Sequence, residues 1–187
     1  MLLKISPDLT DEQLQDIVDI VLDPQYGVSG VIVSNTTISR PDSLVSENKT
    51  AKGGLSGAPL KDKSTAMIKK VYTLTDGAVP IIGVGGISTA QDAYDKIRAG
   101  ASLVQLYTAL VYQGPGMVRR MKRELVELVT ADGFTNVQMA VGADVPGVKN
   151  RTLSRIHDDF VKLVFSQQLV EPLELPPQQQ KKEDEEE

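Results

Sequence analysis

Two segments that carry glycine and hydroxyl groups could bind a phosphate. Gly85 and Gly86 follow an apolar stretch and precede a segment with helical spacing, so backbone amides would face outward at a helix N-terminus. Tyr107 and Thr108 follow the next apolar stretch and add hydroxyl groups and further amides. The spacing fits neither a Walker loop nor the GxGxxG pattern of dinucleotide-binding folds. The two segments predict a phosphate site, with a tight strand-to-helix turn as the alternative.

Polar residues that end two other apolar stretches could bind an organic ligand. An inward-facing Lys4 would stabilise negative charge on a ligand, such as that on N1 and O2 of a reduced flavin, whereas an exposed lysine would only be solvated. Asn35, between Ser34 and Thr36, can donate and accept hydrogen bonds at once, as the edge of a pyrimidine carbonyl–imide group requires. Capping of a turn is the alternative for this polar run.

The connection over residues 39–61 is too long for a plain strand-to-helix loop. It contains Gly53, Gly54 and Gly57, with Ser56 beside the last of them. Glycines allow a backbone to approach a planar ligand closely, which predicts a functional loop. A flexible surface insertion is the alternative.

Composition excludes several classes of protein. The chain has no cysteine and one histidine, His157, which excludes disulfides, thiolate metal sites, a cysteine nucleophile and a histidine-rich metal site. Five acidic residues and two lysines in residues 181–187 account for −3 of the net charge of −5, so nothing indicates a nucleic-acid-binding protein. No apolar run approaches the length of a transmembrane helix, and Met1 leads into a strand-like segment, not a signal peptide.

Four βα units would position the polar residues. The short apolar runs that predict strands are residues 2–5, 30–34, 79–83 and 103–106. The segments with helical spacing are residues 11–22, 63–74, 90–99 and 117–129, with Thr10 and Ser88 as expected N-caps of the first and third. Alternation of this kind predicts a parallel sheet, whose strands all end at one rim. That rim would bring Gly85, Gly86, Tyr107 and Thr108 together.

With these motifs in place, the chain resembles the quinone-dependent dihydroorotate dehydrogenases. The segments that carry the resemblance are residues 4–10, 34–41, 53–60, 81–88 and 99–110. The resemblance covers about residues 1–144 and implies an α/β fold, the C-terminal half of a TIM (β/α)8 barrel with about four βα units. We expect residues 145–170 to form an extension that is helical over 152–169, after a loop over 136–148, and residues 171–187 to form a disordered proline-, glutamine- and acid-rich tail.

The resemblance also implies a cofactor, a substrate and an electron acceptor. The residues implied to contact FMN are Lys4, Ser34, Gly57, Gly86, Tyr107 and Thr108, with Ser56 and Gly85 close by. Asn35 and Thr36 are implied to hold dihydroorotate or orotate. In such enzymes hydride passes from C6 of dihydroorotate to N5 of FMN, a serine base removes the C5 proton, and ubiquinone accepts the electrons in pyrimidine biosynthesis. The family also implies the mitochondrial inner membrane, with any targeting signal expected upstream of Met1.

The chain departs from that family pattern in what it lacks. We expect the first four βα units, the serine base and the N-terminal helices that bind quinone to be missing, so no catalytic residue is assigned here. An open half-barrel is expected to self-associate or recruit another half through its sheet edges, and to show no dihydroorotate oxidation alone. The alternatives are a non-catalytic flavin- or phosphate-binding half-barrel or interaction protein and, less well matched by residues 35–36 and 53–60, another FMN barrel such as a dihydrouridine synthase.

Overall fold

Four parallel strands form one sheet at the centre of the described part of the chain. The computed structural model describes residues 1–148 and residue 150. The strands are β1 (Leu2–Ile5), β2 (Gly30–Val33), β3 (Ile81–Val84) and β4 (Leu103–Gln105). They are hydrogen-bonded in the order β1-β2-β3-β4, and every neighbouring pair is parallel. The predicted α/β fold with consecutive βα units is confirmed.

Helices connect the strands and follow the last one. They are α1 (Asp11–Leu22), α2 (Lys61–Leu74), α3 (Ala90–Arg98), α4 (Thr108–Gln113) and α5 (Gly116–Ala131). Three short 3-10 helices span Pro24–Tyr26, Ala58–Leu60 and Val137–Ala140. The bounds of β1 and α1 are the predicted ones, and the other predicted elements differ by one or two residues at their ends. The sequence did not predict α4, because its six residues are too short to show a helical period.

The two predicted N-caps have different outcomes. Thr10 caps α1, since its side chain accepts a hydrogen bond from the Gln13 amide and the Gln13 side chain bonds back. Ser88 was the wrong residue for α3, where Thr89 is the N-cap and accepts from the amide of Asp92. The reason is that Asp92 lies three residues after Thr89, the spacing of a capping box, and Ser88 instead donates its hydroxyl hydrogen to the Asp92 carboxylate.

The helices cover only one face of the sheet. On that face Val31, Val33 and Ile81 are buried against apolar side chains that include Ile68 and Val71 of α2. The opposite face carries a row of cross-strand neighbours that the helices leave uncovered. This row consists of Lys4, Ile32, Ile82 and Leu103. Leu103 is 63% exposed and Leu2, on the same face, is 51% exposed. A sheet with one bare apolar face has the geometry of a partial barrel seen from its interior.

Residues after α5 pack back on the core. The amide of Gly142 donates to Ile97 O at 3.1 Å, and the amide of Asp144 donates to Arg98 O at 3.0 Å. The predicted loop over residues 136–148 is therefore mainly turns, with the short helix Val137–Ala140 added. The predicted helix 152–169 and tail 171–187 lie outside the described residues. None of the helices in the described part of the chain combines the length and apolar character needed to cross a membrane.

Candidate functional site

A cavity of about 280 Å³ lies at the carboxyl ends of the four strands. It is lined by Lys4 near the end of β1, by residues that end or follow β2, β3 and β4, and by the connection between β2 and α2. The ten residues that the family resemblance implies all border it, whereas Gly53 and Gly54 of the same long connection do not. The ten are Lys4, Ser34, Asn35, Thr36, Ser56, Gly57, Gly85, Gly86, Tyr107 and Thr108. The carboxyl ends of parallel strands meet at one edge, which explains why segments far apart in sequence converge here.

The turn after β3 packs directly on the start of α2. Gly86 has φ +70, and a Cβ atom at this position would lie 2.5 Å from Lys61 Cα. Gly85 has φ +118 and would bring a Cβ within 3.0 Å of Leu60 and Ser64 side chains. Only glycine meets both the left-handed backbone and the close approach. The turn is therefore fixed by its packing and presents its backbone to the cavity.

The two backbone amides just before α3 are hydrogen-bonded to a side chain of that helix. Those of Ser88 and Thr89 both donate to Asp92 Oδ2 at 3.0 Å. Burial alone would raise the pKa of Asp92, but these hydrogen bonds, with help from Lys61, lower it to about 2. The amides of Ser88 and Thr89 are therefore already hydrogen-bonded within the protein. The glycine turn of Gly85 and Gly86 lies just upstream of them in the cavity lining.

The segments after β4 and before α2 contact each other across the cavity. Thr108 Oγ1 lies 3.2 Å from Ser56 Oγ, within hydrogen-bonding distance. A Cβ on Gly57, whose φ is +84, would lie 3.1 Å from Thr108 Cγ2. Tyr107 is the residue before α4 and is 77% exposed. These contacts place two hydroxyl groups in the same cavity lining as the glycine turn.

Asn35 and Thr36 lie at the end of β2, on the other side of the cavity. The backbone amide of Asn35 donates to Ile5 O at 2.8 Å, and the side-chain Oδ1 of Asn35 accepts from the backbone amide of Thr36 at 2.9 Å. A Cβ on Gly54 would lie 1.9 Å from Thr36 Oγ1, so the glycine-rich connection touches this pair. Both side chains are exposed to the cavity mouth. Lys4, on the bare face of the sheet at the end of β1, contributes a cation to the same region.

An aspartate that the sequence did not single out holds the loop after β2. Asp8 accepts from Thr37 Oγ1 at 2.6 Å and from the Ile38 amide at 2.8 Å, and it forms an ion pair with Lys63. Burial would raise the pKa of Asp8, but these hydrogen bonds lower that pKa to about 2. The carboxylate thereby ties β1, the Asn35 loop and α2 together. No local signal marks it, since its partners lie 29 or more residues away.

Arg40 organises the long connection by binding backbone carbonyl groups. Its guanidinium donates to Ala51 O at 2.8 Å and to Gly53 O at 2.7 Å. It also donates to the carbonyls of Ile38 and Ser39, each at 3.1 Å. An arginine has five N–H donors in a planar fork, so one side chain can fix several turns of backbone. The connection is thus an ordered wall of the cavity over these residues.

Helix α4 adds two lining residues that the sequence did not predict. Tyr112 and Gln113 border the cavity, and Tyr112 is 84% exposed. Gln113 Nε2 donates to Ser88 O at 3.1 Å, which connects α4 with the turn before α3. Both were missed because α4 itself was not expected.

The fold and the site define a partial (β/α)8 barrel with a cavity at the rim where its strands end. The family described as dihydroorotate dehydrogenase matches residues 1–129. A dihydroorotate dehydrogenase (quinone) of Rhodospirillum rubrum is 54% identical over 144 residues, which cover 77% of this chain and 39% of that protein. The mitochondrial dihydroorotate dehydrogenase (quinone) of Mus musculus is 51% identical over 144 residues, or 77% of this chain and 36% of that protein. The chain belongs to the dihydroorotate dehydrogenase family.

Solved structures agree with this assignment. The ligand-free dihydroorotate dehydrogenase of Eimeria tenella superposes with a TM-score of 0.73 at 51% identity, covering 77% of this chain and 40% of that one. The predicted family and the predicted partial barrel are therefore confirmed. Membership in this family leaves no support for the dihydrouridine synthase alternative. The chain spans only about two fifths of the length of these relatives, 39% and 40% in two of them.

Proposed function

We propose that this chain forms the FMN- and orotate-binding rim of a quinone-dependent dihydroorotate dehydrogenase, which oxidises dihydroorotate to orotate in pyrimidine biosynthesis. The supporting observation is that every residue implied by the family motifs borders one cavity. The activity of the complete enzyme is assigned to this chain together with further βα units, because the relatives are more than twice as long.

The donor groups of the cavity suit a long ligand that has a phosphate at one end and a polar ring system at the other. The cavity runs from Lys4 near the end of β1 to Thr108 after β4, and three strand spacings amount to about 14 Å. Backbone of Gly85 and Gly86 and the hydroxyl groups of Ser56 and Thr108 lie at the β3–β4 end. The Lys4 ammonium and the Asn35 side-chain amide lie at the β1–β2 end. FMN has a phosphate at one end and a polar ring system at the other, so these residues fit it.

Each group has a role that follows from its chemistry. When bound, FMN supplies hydride transfer from dihydroorotate and electron transfer to quinone. Lys4 would stabilise negative charge on the pyrimidine ring of the flavin, and Asn35 with Thr36 would bind the carbonyl–imide edge of dihydroorotate or orotate. Gly85, Gly86, Tyr107 and Thr108 would hold the phosphate, with Ser34, Ser56 and Gly57 in supporting contacts. No serine of this chain is assigned as the base that removes the C5 proton.

Titration with FMN and an activity assay together test this function. We expect the full chain to quench FMN fluorescence in a saturable manner, and a Gly86→Ala variant to lose that quenching while a Gly116→Ala variant keeps it. A Cβ at Gly116 meets no atom within 4 Å, so the control is sterically neutral. The chain alone should not reduce a quinone or dye with dihydroorotate. Turnover should appear when the first half of the Rhodospirillum rubrum relative is co-expressed with it.

Other outcomes separate the alternatives. Absence of FMN binding would overturn the flavin assignment, and turnover by the chain alone would contradict the need for further βα units. FMN binding without turnover in the co-expressed pair would instead favour a non-catalytic flavin-binding protein. We further propose the mitochondrial inner membrane as its location, since relatives from mouse and Arabidopsis thaliana carry the description mitochondrial. Fractionation of the parent cells with an antibody to this chain tests that placement.

A further inference from the structure

A lysine lies fully buried behind the glycine turn. Lys96 of α3 has 0% relative exposure, and its ammonium donates to Ser64 Oγ at 2.6 Å, Thr65 Oγ1 at 2.8 Å and Lys61 O at 3.2 Å. The three N–H donors thus meet three neutral oxygen acceptors, all on α2. Lysines are almost never fully buried unless paired, since burial of an ammonium group is costly. A buried cation with only neutral hydrogen-bond partners calls for a functional explanation.

The partners of Lys96 are the groups that build the β3–β4 end of the cavity. The Ser64 hydroxyl, which accepts from Lys96, lies 3.1 Å from Gly85 O and can donate to it. Lys61, whose carbonyl also accepts from Lys96, supplies the backbone on which Gly86 packs. The ammonium group therefore joins α3 to the first turn of α2, and Ser64, which lies 3.0 Å from Lys61 O and 3.1 Å from Gly85 O, connects that turn to the glycine turn. Loss of the ammonium group would remove three hydrogen bonds from the α2 residues on which the glycine turn packs.

The charged groups around Lys96 belong to α2 and α3. Asp92 and Asp95 on its own helix and Asp62 on α2 favour its protonated form, and Lys61 opposes it. Burial outweighs the carboxylates and lowers the pKa of Lys96 to about 8. Asp92 is itself engaged, because it lies 3.2 Å from Lys61 Nζ and accepts the amides that begin α3. Lys96 is thus protonated at neutral pH and loses its charge as the pH rises past 8.

We propose that Lys96 is a positioning residue for phosphate binding, a buried cation that fixes the Gly85–Gly86 turn on α2 and favours a dianion in front of it. This inference rests on the proposed FMN site. Lys96 does not contact the ligand in this proposal. It holds the residues that bind the phosphate in place and adds positive potential near them. The charge of Lys96 should therefore affect the affinity for the phosphate group of the ligand and not the affinity for its ring.

Parallel titrations with FMN and riboflavin test this role, because the two ligands differ only in the phosphate. The full chain should bind FMN more tightly than riboflavin at pH 7, and that preference should fall as pH is raised from 7 to 9.5. In Lys96→Met the preference should drop about tenfold or more at pH 7 and become independent of pH, while riboflavin affinity stays unchanged. Lys69→Met, which removes an exposed lysine of α2, should behave as the wild type.

Ser64→Ala provides a second variant that keeps the cation and breaks its connection to Gly85. We expect an intermediate loss of the FMN preference with the pH dependence retained. Circular dichroism checks folding, and Lys to Met keeps side-chain volume nearly constant, so the core should tolerate it. If the wild type does not prefer FMN, both the phosphate site and the role of Lys96 fall. If it does, and Lys96→Met keeps the preference and its pH dependence, only the role of Lys96 falls.

Discussion

The hydroxyl groups of Thr108 and Ser56 lie 3.2 Å apart although 52 residues separate them in sequence. This contact joins the segment after the last strand to the connection before α2, on the side of the cavity where Gly85 and Gly86 also lie. In the proposed site these two hydroxyl groups, which line the same cavity as the glycine turn, would contribute to phosphate binding. The contact therefore supplies a geometry that substitutions can test.

Replacement of Thr108 by valine should weaken FMN binding while it preserves the shape of the side chain. The change removes one hydroxyl donor, so we expect a loss of affinity of about threefold to tenfold. Calorimetric titration with FMN measures it. Thr73→Val removes an exposed threonine hydroxyl on α2, far from the cavity lining, and should leave the affinity unchanged. Equal affinities for the Thr108→Val and Thr73→Val variants would contradict a role for the Thr108 hydroxyl.

Gly54→Ala should impair the binding of orotate more than that of FMN. A Cβ there would lie 1.9 Å from Thr36 Oγ1, so the Thr36 side chain must move away from its present position. We expect orotate affinity to fall about tenfold or more, as for other overpacked sites, with FMN affinity nearly unchanged. Titration of the FMN-loaded chain with orotate tests this, with Gly116→Ala as the matched control. A similar loss for both ligands would indicate general disruption of the loop instead.

Asp8 should make stability depend on acid pH. Its pKa is about 2 in the folded chain against an ordinary value of 3.8, so the unfolded state binds a proton first as the pH falls. Its stabilising contribution is present above about pH 4 and is lost as the pH approaches 2. Urea unfolding at several pH values should show this decline, and Asp8→Asn should be less stable by about 1–3 kcal/mol at pH 7 with a smaller acid-induced loss.

The control for that measurement is Asp16→Asn, which changes an exposed aspartate of α1. Its stability and pH profile should match those of the wild type. Part of the acid-induced decline should remain in Asp8→Asn, because the pKa of Asp92 is also lowered to about 2. An unchanged profile for Asp8→Asn would show that its hydrogen bonds with Thr37 and Ile38 do not stabilise the fold.

The uncovered face of the sheet predicts association between copies of the chain. Leu2 and Leu103 are more than half exposed on a face that carries further apolar residues, and β1 and β4 are the edge strands of the described sheet. Analytical ultracentrifugation should show a fraction of oligomers that increases with the protein concentration. Leu103→Lys should shift the equilibrium toward monomer, whereas Val126→Lys, which changes an exposed residue of α5, should not. A monomeric wild type at all concentrations would contradict the prediction.

Strand-end residues were predictable because their position follows from local patterns. The apolar run of β1 and the capping box of Thr10 with Gln13 set the bounds of β1 and α1 from sequence alone. Once a parallel sheet is inferred, the residue after each strand must reach the same rim, which brings Lys4, Asn35 and Thr108 to one cavity.

Residues that act through distant partners could not be found in this way. Asp8, Arg40 and Lys96 each look like ordinary charged residues in the sequence, since the groups that they bind lie on other elements or on later turns. The N-cap of α3 was misplaced by one residue because Ser88 and Thr89 are both good capping residues. The distinction depends on Asp92, which bonds to both.

The most direct test of the flavin site is a map of backbone amide shifts in the full chain as FMN is added. The largest changes in a two-dimensional nitrogen–proton spectrum should fall on residues at the β3–β4 end of the cavity, namely Ser56, Gly57, Gly85, Gly86, Tyr107 and Thr108. Amides on the outer side of α5, such as that of Val126, should not move. Shifts scattered away from the strand ends, or no saturable change at all, would contradict the account.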